Sequence, residues 1–510
     1  KRVEPVAASD TVASTPGRKL DFAIIAALTV ALSFFAYEYF NEEDAGSTAR
    51  AGGVLPNSIA VLPLDNLSPD PDNAYFASGL HEEILNQLVK LRNLNVISRT
   101  SVLQYAENRP AIQEIAEALN VQSVMEGSVR YDANGGRIRV TAQLIDPDTG
   151  AHLWSETYDR NFENIFAVES DIAMNIANAL AAEISPEEQQ SIETRPTVSS
   201  EAYALYLRSF NLGDALALEL LDEALALDEN FAEAHARKAW LSIRNVFMGS
   251  TPAEIAEAEG IVERSAMRAL QINPRIGLAH AALATVHQAH WRGEMAEAEF
   301  QLAYDRAPSD ALVALAYGRF RRYRGDFAGA VERLEQAVRL SPNEHQARGQ
   351  LALAYLANKD YAEAADVFRT IDEGDEGAMI GLAGAEIGLG NYDEAVRGLE
   401  LIEERSLQLP PFRLSQLAIT YAAAGQQEDA ARLFAAFRNT ASTDPVGDAV
   451  WARAYLAVGE NELALEHLRS AVMERATSDQ PTLSEFTANF LNLPQLDEPE
   501  FLELLNGLWD

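Results

Sequence analysis

The sequence contains no cysteine and has few basic residues. Its 510 residues include 40 Lys and Arg against 77 Asp and Glu, which gives a formal net charge of −37. The absence of cysteine excludes disulfides, thiolate metal ligands and cysteine nucleophiles. The acidity argues against nucleic acid, whose phosphates are bound by clustered Lys and Arg. We therefore expect no nucleic-acid binding by this chain.

Motifs typical of catalysis are also lacking. The sequence has no Gly-rich phosphate loop ending in Gly-Lys-Ser/Thr and no Gly-x-Ser-x-Gly elbow. His81 is followed by Glu82, but the second histidine of a zinc-protease helix is replaced by Leu85. Asp65, Asp70 and Asp72 have carboxylates suited to a hard cation, but such residues also cap turns, and we favour that interpretation. The sequence predicts no enzyme, no cofactor and no metal site.

One long hydrophobic run lies near the beginning of the sequence. Residues 22–37 carry no charge, Arg18 and Lys19 precede them, and no further basic residue occurs before Arg50. We predict a transmembrane helix at 20–40, because about 20 apolar residues span a bilayer. The flanking charges place residues 1–19 in the cytoplasm and the rest of the chain across the membrane. A cleaved signal peptide and a buried soluble helix are the alternatives, and 41–57 is interpreted as a linker.

Residues 58–185 alternate strand-like and helix-like patterns. Residues 58–64 form a short apolar run, whereas 73–91 repeat apolar residues at spacings of three and four. A short strand, a second helix, three closely spaced strand-like runs and a third helix follow. The order predicts a small α/β or α+β domain.

Several segments of this domain resemble a known family. SIAVLPLDNLSPDPDNAYFASGLHEEILNQL, NVISRTS, VMEGSVR, RIRVTAQLID and HLWSETYDR are similar to the TolB-like N-terminal domain of bacterial membrane-bound regulators. The resemblance implies an extracytoplasmic, non-enzymatic module that is usually followed by tetratricopeptide repeats. With the hydrophobic run, it implies a bacterial inner-membrane protein whose residues 41–510 are periplasmic.

Residues 201–480 repeat with a period near 34. Pro274, Pro308 and Pro342 are evenly spaced, and each unit has a turn before a helix start, such as GDFAGA and KDYAEA. A helix-turn-helix unit of this length is typical of the tetratricopeptide repeat. We expect about seven units stacked into an all-α superhelix with a concave groove. A linker at 186–200 precedes them, and a capping helix is expected within 481–510.

Two sets of side chains mark the predicted groove. The spacing of His280, His287 and His290, next to Trp291, places the three histidines near one helix face. These residues are interpreted as ordinary groove or packing residues; the alternatives are a transition-metal site and a pH sensor.

The second set is Arg319, Arg322 and Tyr323, which also lie toward the predicted groove. We interpret them as a solvated, salt-bridged helix face; the alternative is that the arginines pair with a partner's carboxylate.

The sequence therefore predicts a protein-interaction module that acts as a sensor or scaffold in signal transduction or complex assembly. Its partner would be a protein or peptide in the groove, and the inner membrane would be bound through 20–40. One alternative is the regulatory part of an enzyme or transcription regulator whose cyclase or winged-helix domain lies upstream. Another is an accessory subunit of a larger membrane complex. The oligomeric state is left open.

Overall fold

The computed structural model describes most of the chain beyond its first fifty residues. The described residues are 54–68, 74–132, 136–248, 252–372, 374–406, 408–444, 446–474 and 493–509, with 483, 486 and 491 between the last two. The predicted cytoplasmic segment 1–19, the predicted transmembrane segment 20–40 and most of the linker 41–57 lie outside them.

The N-terminal part of the described chain is built on one mixed sheet. Its strands are β1 Leu55–Val61, β2 Asp65–Asn66, β3 Asn95–Val96, β4 Val121–Asp132, β5 Arg137–Ile145 and β6 His152–Asn161. The sheet order is β3-β1-β4-β5-β6, with β2 paired to β4. The β1–β3 and β2–β4 pairs are parallel, and β4, β5 and β6 form an antiparallel meander.

Five helices accompany this sheet. They are α1 Ala74–Leu88, α2 Arg99–Val102, α3 Ile112–Leu119, α4 Ile165–Ala179 and α5 Pro186–Glu193. Successive residues of a strand point to opposite faces, and here both faces of β1 are buried. Ile59 and Val61 pack with α1 and α4, whereas Ala60 and Leu62 pack with α3. The α/β architecture predicted from the sequence is confirmed; β2 and α2 are additional short elements.

The rest of the described chain is helical and pairs in chain order. The eight pairs are α6 Ser200–Arg208 with α7 Asp214–Leu227, α8 Ala232–Met248 with α9 Pro252–Ile272, α10 Gly277–Ala289 with α11 Gly293–Arg306, α12 Ala311–Tyr323 with α13 Phe327–Leu340, α14 His345–Asn358 with α15 Tyr361–Arg369, α16 Glu376–Leu389 with α17 Tyr392–Arg405, α18 Pro411–Ala423 with α19 Gln427–Ala441, and α20 Asp448–Ala457 with α21 Asn461–Glu474. From α8 onward, the first helix of each pair contacts the first helix of the next. This stacking confirms the predicted all-helical superhelix.

Small residues allow the two helices of a pair to approach closely. In the fourth pair, a Cβ added to Gly318 would lie 2.6 Å from Cγ of Leu334, so only glycine fits at this crossing. Ala330 is fully buried on the facing helix. The turn between the two helices contains Gly325 at a φ of 82°, a backbone conformation that favours glycine.

The sheet domain and the first repeats share one hydrophobic core. Gly79 of α1 packs so closely on α6 that an added Cβ would lie 2.6 Å from Cβ of Leu207. Tyr203 and Tyr206 of α6 belong to the same buried cluster as Ile59 and Val61 of β1. The two parts of the chain are therefore packed against each other rather than joined only by the predicted linker at 186–200.

The last described helix is α22, Pro499–Asn506. It packs against α21, where Arg469 forms an ion pair with Glu500. Beyond α22 the chain reaches Trp509, whose ring contacts residues of the third and fourth pairs. The end of the chain thus links the eighth pair to pairs much earlier in the sequence.

The predicted membrane association is corrected by the structure. Among the described residues, every helix is too short or too polar to cross a bilayer. This finding contradicts the transmembrane interpretation and the inner-membrane, periplasmic location drawn from it, and we withdraw both. The hydrophobic segment 20–40 itself lies outside the described residues.

Candidate functional site

The side chains predicted to line a groove lie on and around α10 and α12. Positions 312, 315, 319 and 323 share one side of α12, because they are three or four residues apart. The period of 34 places 349 and 353 of α14 at the equivalents of 315 and 319. We call the surface formed by Leu312, Arg319, Tyr323, Gly349 and Leu353 the α12–α14 face.

The sheet domain borders this face at the loops that join consecutive pairs. The amide of Ser98 donates a hydrogen bond to the carbonyl oxygen of Leu340 at 2.8 Å, and the Ser98 and Ser341 hydroxyls lie 2.7 Å apart. One pair earlier, the Ser309 hydroxyl donates to the carbonyl oxygen of Leu94. These contacts hold the residue before β3 and the beginning of α2 against the loops that follow α11 and α13.

A cavity of about 230 Å³ lies where the sheet domain meets the first helices of the pairs. Leu85 and Val89 line it from the sheet domain, and Trp240, Leu278 and Leu312 line it from the repeats. Leu312 is 47% exposed although it is a large apolar residue. The lining is mixed, since Glu82, Arg99 and Asp310 also contribute to it. Its apolar part, beside the exposed Leu312, is suited to receiving an apolar side chain of a partner.

The opposite border is formed by the end of the chain. The indole nitrogen of Trp509 donates a hydrogen bond to the carbonyl oxygen of Tyr323 at 3.2 Å. Its ring centroid lies 4.9 Å from that of Trp291 and 5.7 Å from that of Phe320. We call these interactions the Trp509 contact. The sequence pattern did not reveal it, because its partners are more than 180 residues away in the chain.

Trp291 has an unusual backbone conformation. Its φ is 57°, and the repeat period places it at the position where later pairs carry Gly325, Gly390, Gly425 and Gly459, all with positive φ. A left-handed conformation costs a non-glycine residue about 1–2 kcal/mol. Trp291 is only 4% exposed, and its ring packs against that of Trp509 at an interplanar angle of 48°, so burial of this side chain offsets the strain.

The predicted histidine cluster does not converge on one point. His280 is 8% exposed, and its Nδ1 lies 2.6 Å from a carboxylate oxygen of Glu299 on α11. His290 instead lies 3.2 Å from a carboxylate oxygen of Glu259 on α9. His280 and His290 therefore contact different neighbouring helices.

His287 lies between them, and its Nδ1 is buried without a hydrogen-bond partner. Burial, with the nearby positive charge of Arg292, lowers the pKa of its imidazole. Across the part of the chain that the structure describes, no group of three or more acidic or histidine side chains is arranged to hold a metal ion.

The two predicted groove arginines have different environments. Arg322 is 6% exposed, and its guanidinium donates to the side-chain oxygen of Gln350 at 3.2 Å. Arg319 is half-buried, and we find no hydrogen bond or ion pair of its guanidinium to any described residue. Arg319 is therefore the cation on the α12–α14 face with donors left for a ligand.

The rest of the face is open. A Cβ added to Gly349 would have no atom within 4 Å, and Leu353 beside it is half-buried. The α12–α14 face thus combines apolar surface, one available guanidinium and an adjoining cavity. This arrangement can bind a chain segment, but it brings together no nucleophile and general base.

Family models agree with this geometry. Two models of the tetratricopeptide repeat match residues 315–378 and 355–408. Together with the stacked helix pairs, these matches show that the C-terminal region consists of tetratricopeptide repeats. The likeness of 58–185 to the TolB-like domain stays a prediction.

One curated relative aligns with part of the chain. It is a protein of Rhizobium meliloti (strain 1021) named "Putative adenylate cyclase 3", 41% identical over 218 residues. The match covers 41% of this chain and 37% of that protein, so the chain spans little more than a third of its relative's length.

Solved structures also align with part of this chain. A structure from the functional characterisation of Pseudomonas aeruginosa pilF is 21% identical, with a TM-score of 0.33, and the alignment covers 42% of this chain and 92% of that one. A tetratricopeptide repeat protein from Parabacteroides merdae ATCC 43184 is 18% identical, with a TM-score of 0.37, and covers 49% and 99% respectively.

Proposed function

We propose that this protein binds a segment of a partner protein at the α12–α14 face. Tetratricopeptide repeats generally bind protein partners, and the exposed helix faces of stacked repeats form extended binding surfaces. The observation that carries the proposal is the half-buried guanidinium of Arg319, which has no protein partner among the described residues, beside the exposed Leu312 and its cavity.

The chemistry of the face defines the partner segment. An apolar side chain would enter the cavity beside Leu312, and a carboxylate would pair with Arg319. Charge-assisted hydrogen bonds to arginine are strong and specific when the site is partly shielded from water. The net charge of −37 repels polyacidic segments, so we expect an apolar segment that carries one or two carboxylates.

Selection from a random peptide library tests this proposal and requires no named partner. A display library of random twelve-residue peptides would be selected on the purified chain, and the enriched peptides titrated against it. We expect enrichment of apolar residues near an Asp or Glu. Arg319→Ala and Leu312→Ala should each weaken binding at least tenfold.

Arg438→Ala is the matched control, because it removes the same charge from α19. This variant should bind as the wild type does. The proposal fails if no peptide is enriched above background, or if all three variants lose affinity equally.

A second role is favoured by the Rhizobium meliloti relative. Its name assigns it to the adenylate cyclases, and this chain aligns with a minor part of it. We propose that these residues act as the regulatory or scaffolding region of a larger protein rather than as its catalytic part. An assay for cyclic AMP production by residues 54–510 alone should give no turnover of ATP, and clear turnover would contradict this role.

A further inference from the structure

A second cleft, away from the α12–α14 face, lies between the sheet domain and the second and third helix pairs. Its volume is about 540 Å³, which is in the range of small-molecule sites. Residues at the ends of α1, α5, α9 and α11 line it, so the cleft requires both parts of the fold.

Four basic side chains line this cleft, namely Lys90, Arg92, Arg275 and Arg306. In a chain with 77 acidic and only 40 basic residues, cations are expected to find carboxylate partners. Among the described residues, however, none of these four forms an ion pair with a carboxylate.

The contacts that these cations do make are to neutral groups. Lys90 donates to the side-chain oxygen of Gln87 at 2.8 Å. The guanidinium groups of Arg92 and Arg275 donate to backbone carbonyl oxygens of Asp305 and Glu187. Each side chain is thereby oriented without a direct ion pair, although Lys90 still acts electrostatically on Glu83 and Arg92 on Glu188.

Arg306 has the most available guanidinium of the four. It is half-buried, its Nε is buried without an acceptor, and we find no hydrogen bond from its other nitrogens to the described residues. A partly desolvated guanidinium without an acceptor is unfavourable, and an anion in the cleft would relieve this cost.

Four acidic residues also line the cleft, but none of their carboxylates forms an ion pair with these cations. Glu188 accepts the backbone amides of Ser185 and Arg92 at 2.7 and 2.9 Å. Asp305 accepts a hydrogen bond from the Gln301 side chain at 3.1 Å. Glu183 and Glu187 are exposed. The four carboxylates repel an anion that extends toward them, so the cleft can accept only a small anion.

We infer that this cleft binds a small multivalent anion that carries phosphate groups. Three arginines and a lysine match several negative charges better than the single charge of a peptide carboxylate. A long polyanion would be repelled by the acidic surface, whereas a small anion fits the volume of the cleft.

Calorimetric titration with inorganic pyrophosphate tests the inference. The wild-type chain should bind it saturably, and Arg275→Gln/Arg306→Gln should weaken binding at least tenfold. Arg397→Gln/Arg438→Gln removes the same charge from α17 and α19 and should leave binding unchanged. Circular dichroism would establish that each variant is folded.

Three outcomes would overturn the inference. The wild type fails to bind pyrophosphate at millimolar concentration, both double variants lose the same affinity, or citrate binds as tightly as pyrophosphate. None of these outcomes bears on peptide binding at the α12–α14 face, which is measured separately.

Discussion

At the residue scale, Trp291 and Trp509 illustrate how strain at one position is offset by contact with another. Trp291 adopts the left-handed conformation that glycine adopts in four later turns, and its ring is buried against Trp509. Strained conformations persist when the surrounding structure stabilises them. The indole of Trp509 supplies that stabilisation from the far end of the chain.

Trp509→Ala should therefore release the end of the chain. Loss of the ring contacts and of the hydrogen bond to Tyr323 should raise amide hydrogen exchange of α22 and of residues 290–293 at least tenfold. Leu502→Ala, which truncates an exposed residue of α22, is the control and should change exchange little. Equal exchange in Trp509→Ala and the wild type would show that the Trp509 contact is not formed in solution.

Glu233 is an acidic residue of α8 at the junction of the sheet domain and the repeats, and one of its carboxylate oxygens is buried. Burial raises its carboxyl pKa to about 7, above the ordinary value of 4.5. Between these values the folded protein keeps a proton that the unfolded chain releases. The contribution of the neutral carboxyl group to folding stability is therefore fully present below pH 4.5 and is lost as the pH rises to 7.

Glu233→Gln should remove this dependence. Urea unfolding would give the free energy of unfolding at pH 5 and at pH 7.5. Between these two pH values, that free energy should fall by about 2–3 kcal/mol more in the wild type than in the variant, since one pKa unit corresponds to about 1.4 kcal/mol. Glu229→Gln, at an exposed position nearby, should behave as the wild type. Parallel pH profiles for Glu233→Gln and the wild type would contradict the assignment.

At the element scale, the turn within each pair depends on its backbone conformation. Gly425 has a φ of 82°, whereas Gly398 lies within α17, and neither would bring an added Cβ within 4 Å of another atom. Replacing glycine by alanine should therefore have opposite effects on the free energy of unfolding at the two positions.

Gly425→Ala should lower the free energy of unfolding by about 1 kcal/mol, because alanine is strained at positive φ. Gly398→Ala should raise it by about 0.5–1 kcal/mol, because alanine favours a helix over glycine. Thermal unfolding of both variants measures the difference, and a shift in the same direction for both would exclude this explanation.

Local patterns in the sequence predicted the elements well, and long-range contacts escaped them. The 34-residue period and the turn motifs before each helix start predicted helix pairs that the structure confirms. The same period aligns Trp291 with Gly325, which was a usable signal for its left-handed conformation. No periodicity could indicate that Trp509 packs there, since such contacts depend on the superhelical path of several pairs.

In the candidate site, too, the sequence pattern predicted the elements but not the long-range side-chain contacts. The site's helices and the position of Arg319 on the α12–α14 face follow from the repeat pattern. The burial of Arg322 and the separate partners of His280 and His290 depend on side chains from other helices. Helical spacing alone could not distinguish a groove residue from a packing residue at these positions.

At the scale of the whole molecule, the α12–α14 face is supported on two sides. The sheet domain contacts the loops between pairs through Ser98 and Ser309, and the end of the chain contacts the turns within pairs through Trp509. The sheet domain contacts the loops before and after the fourth pair, and Trp509 contacts the third and fourth pairs. The face should therefore be preorganised, which lowers the entropic cost of binding a partner segment.

A double-mutant cycle between Arg319 and the acidic residue of a selected peptide tests the central claim most directly. Arg319→Ala would be combined with replacement of the peptide's Asp or Glu by Asn or Gln, and the four affinities compared. We predict a coupling energy of about 1–3 kcal/mol, as expected for a close charge pair. Additive effects of the two changes, with no coupling, would show that the segment does not bind at the α12–α14 face as proposed.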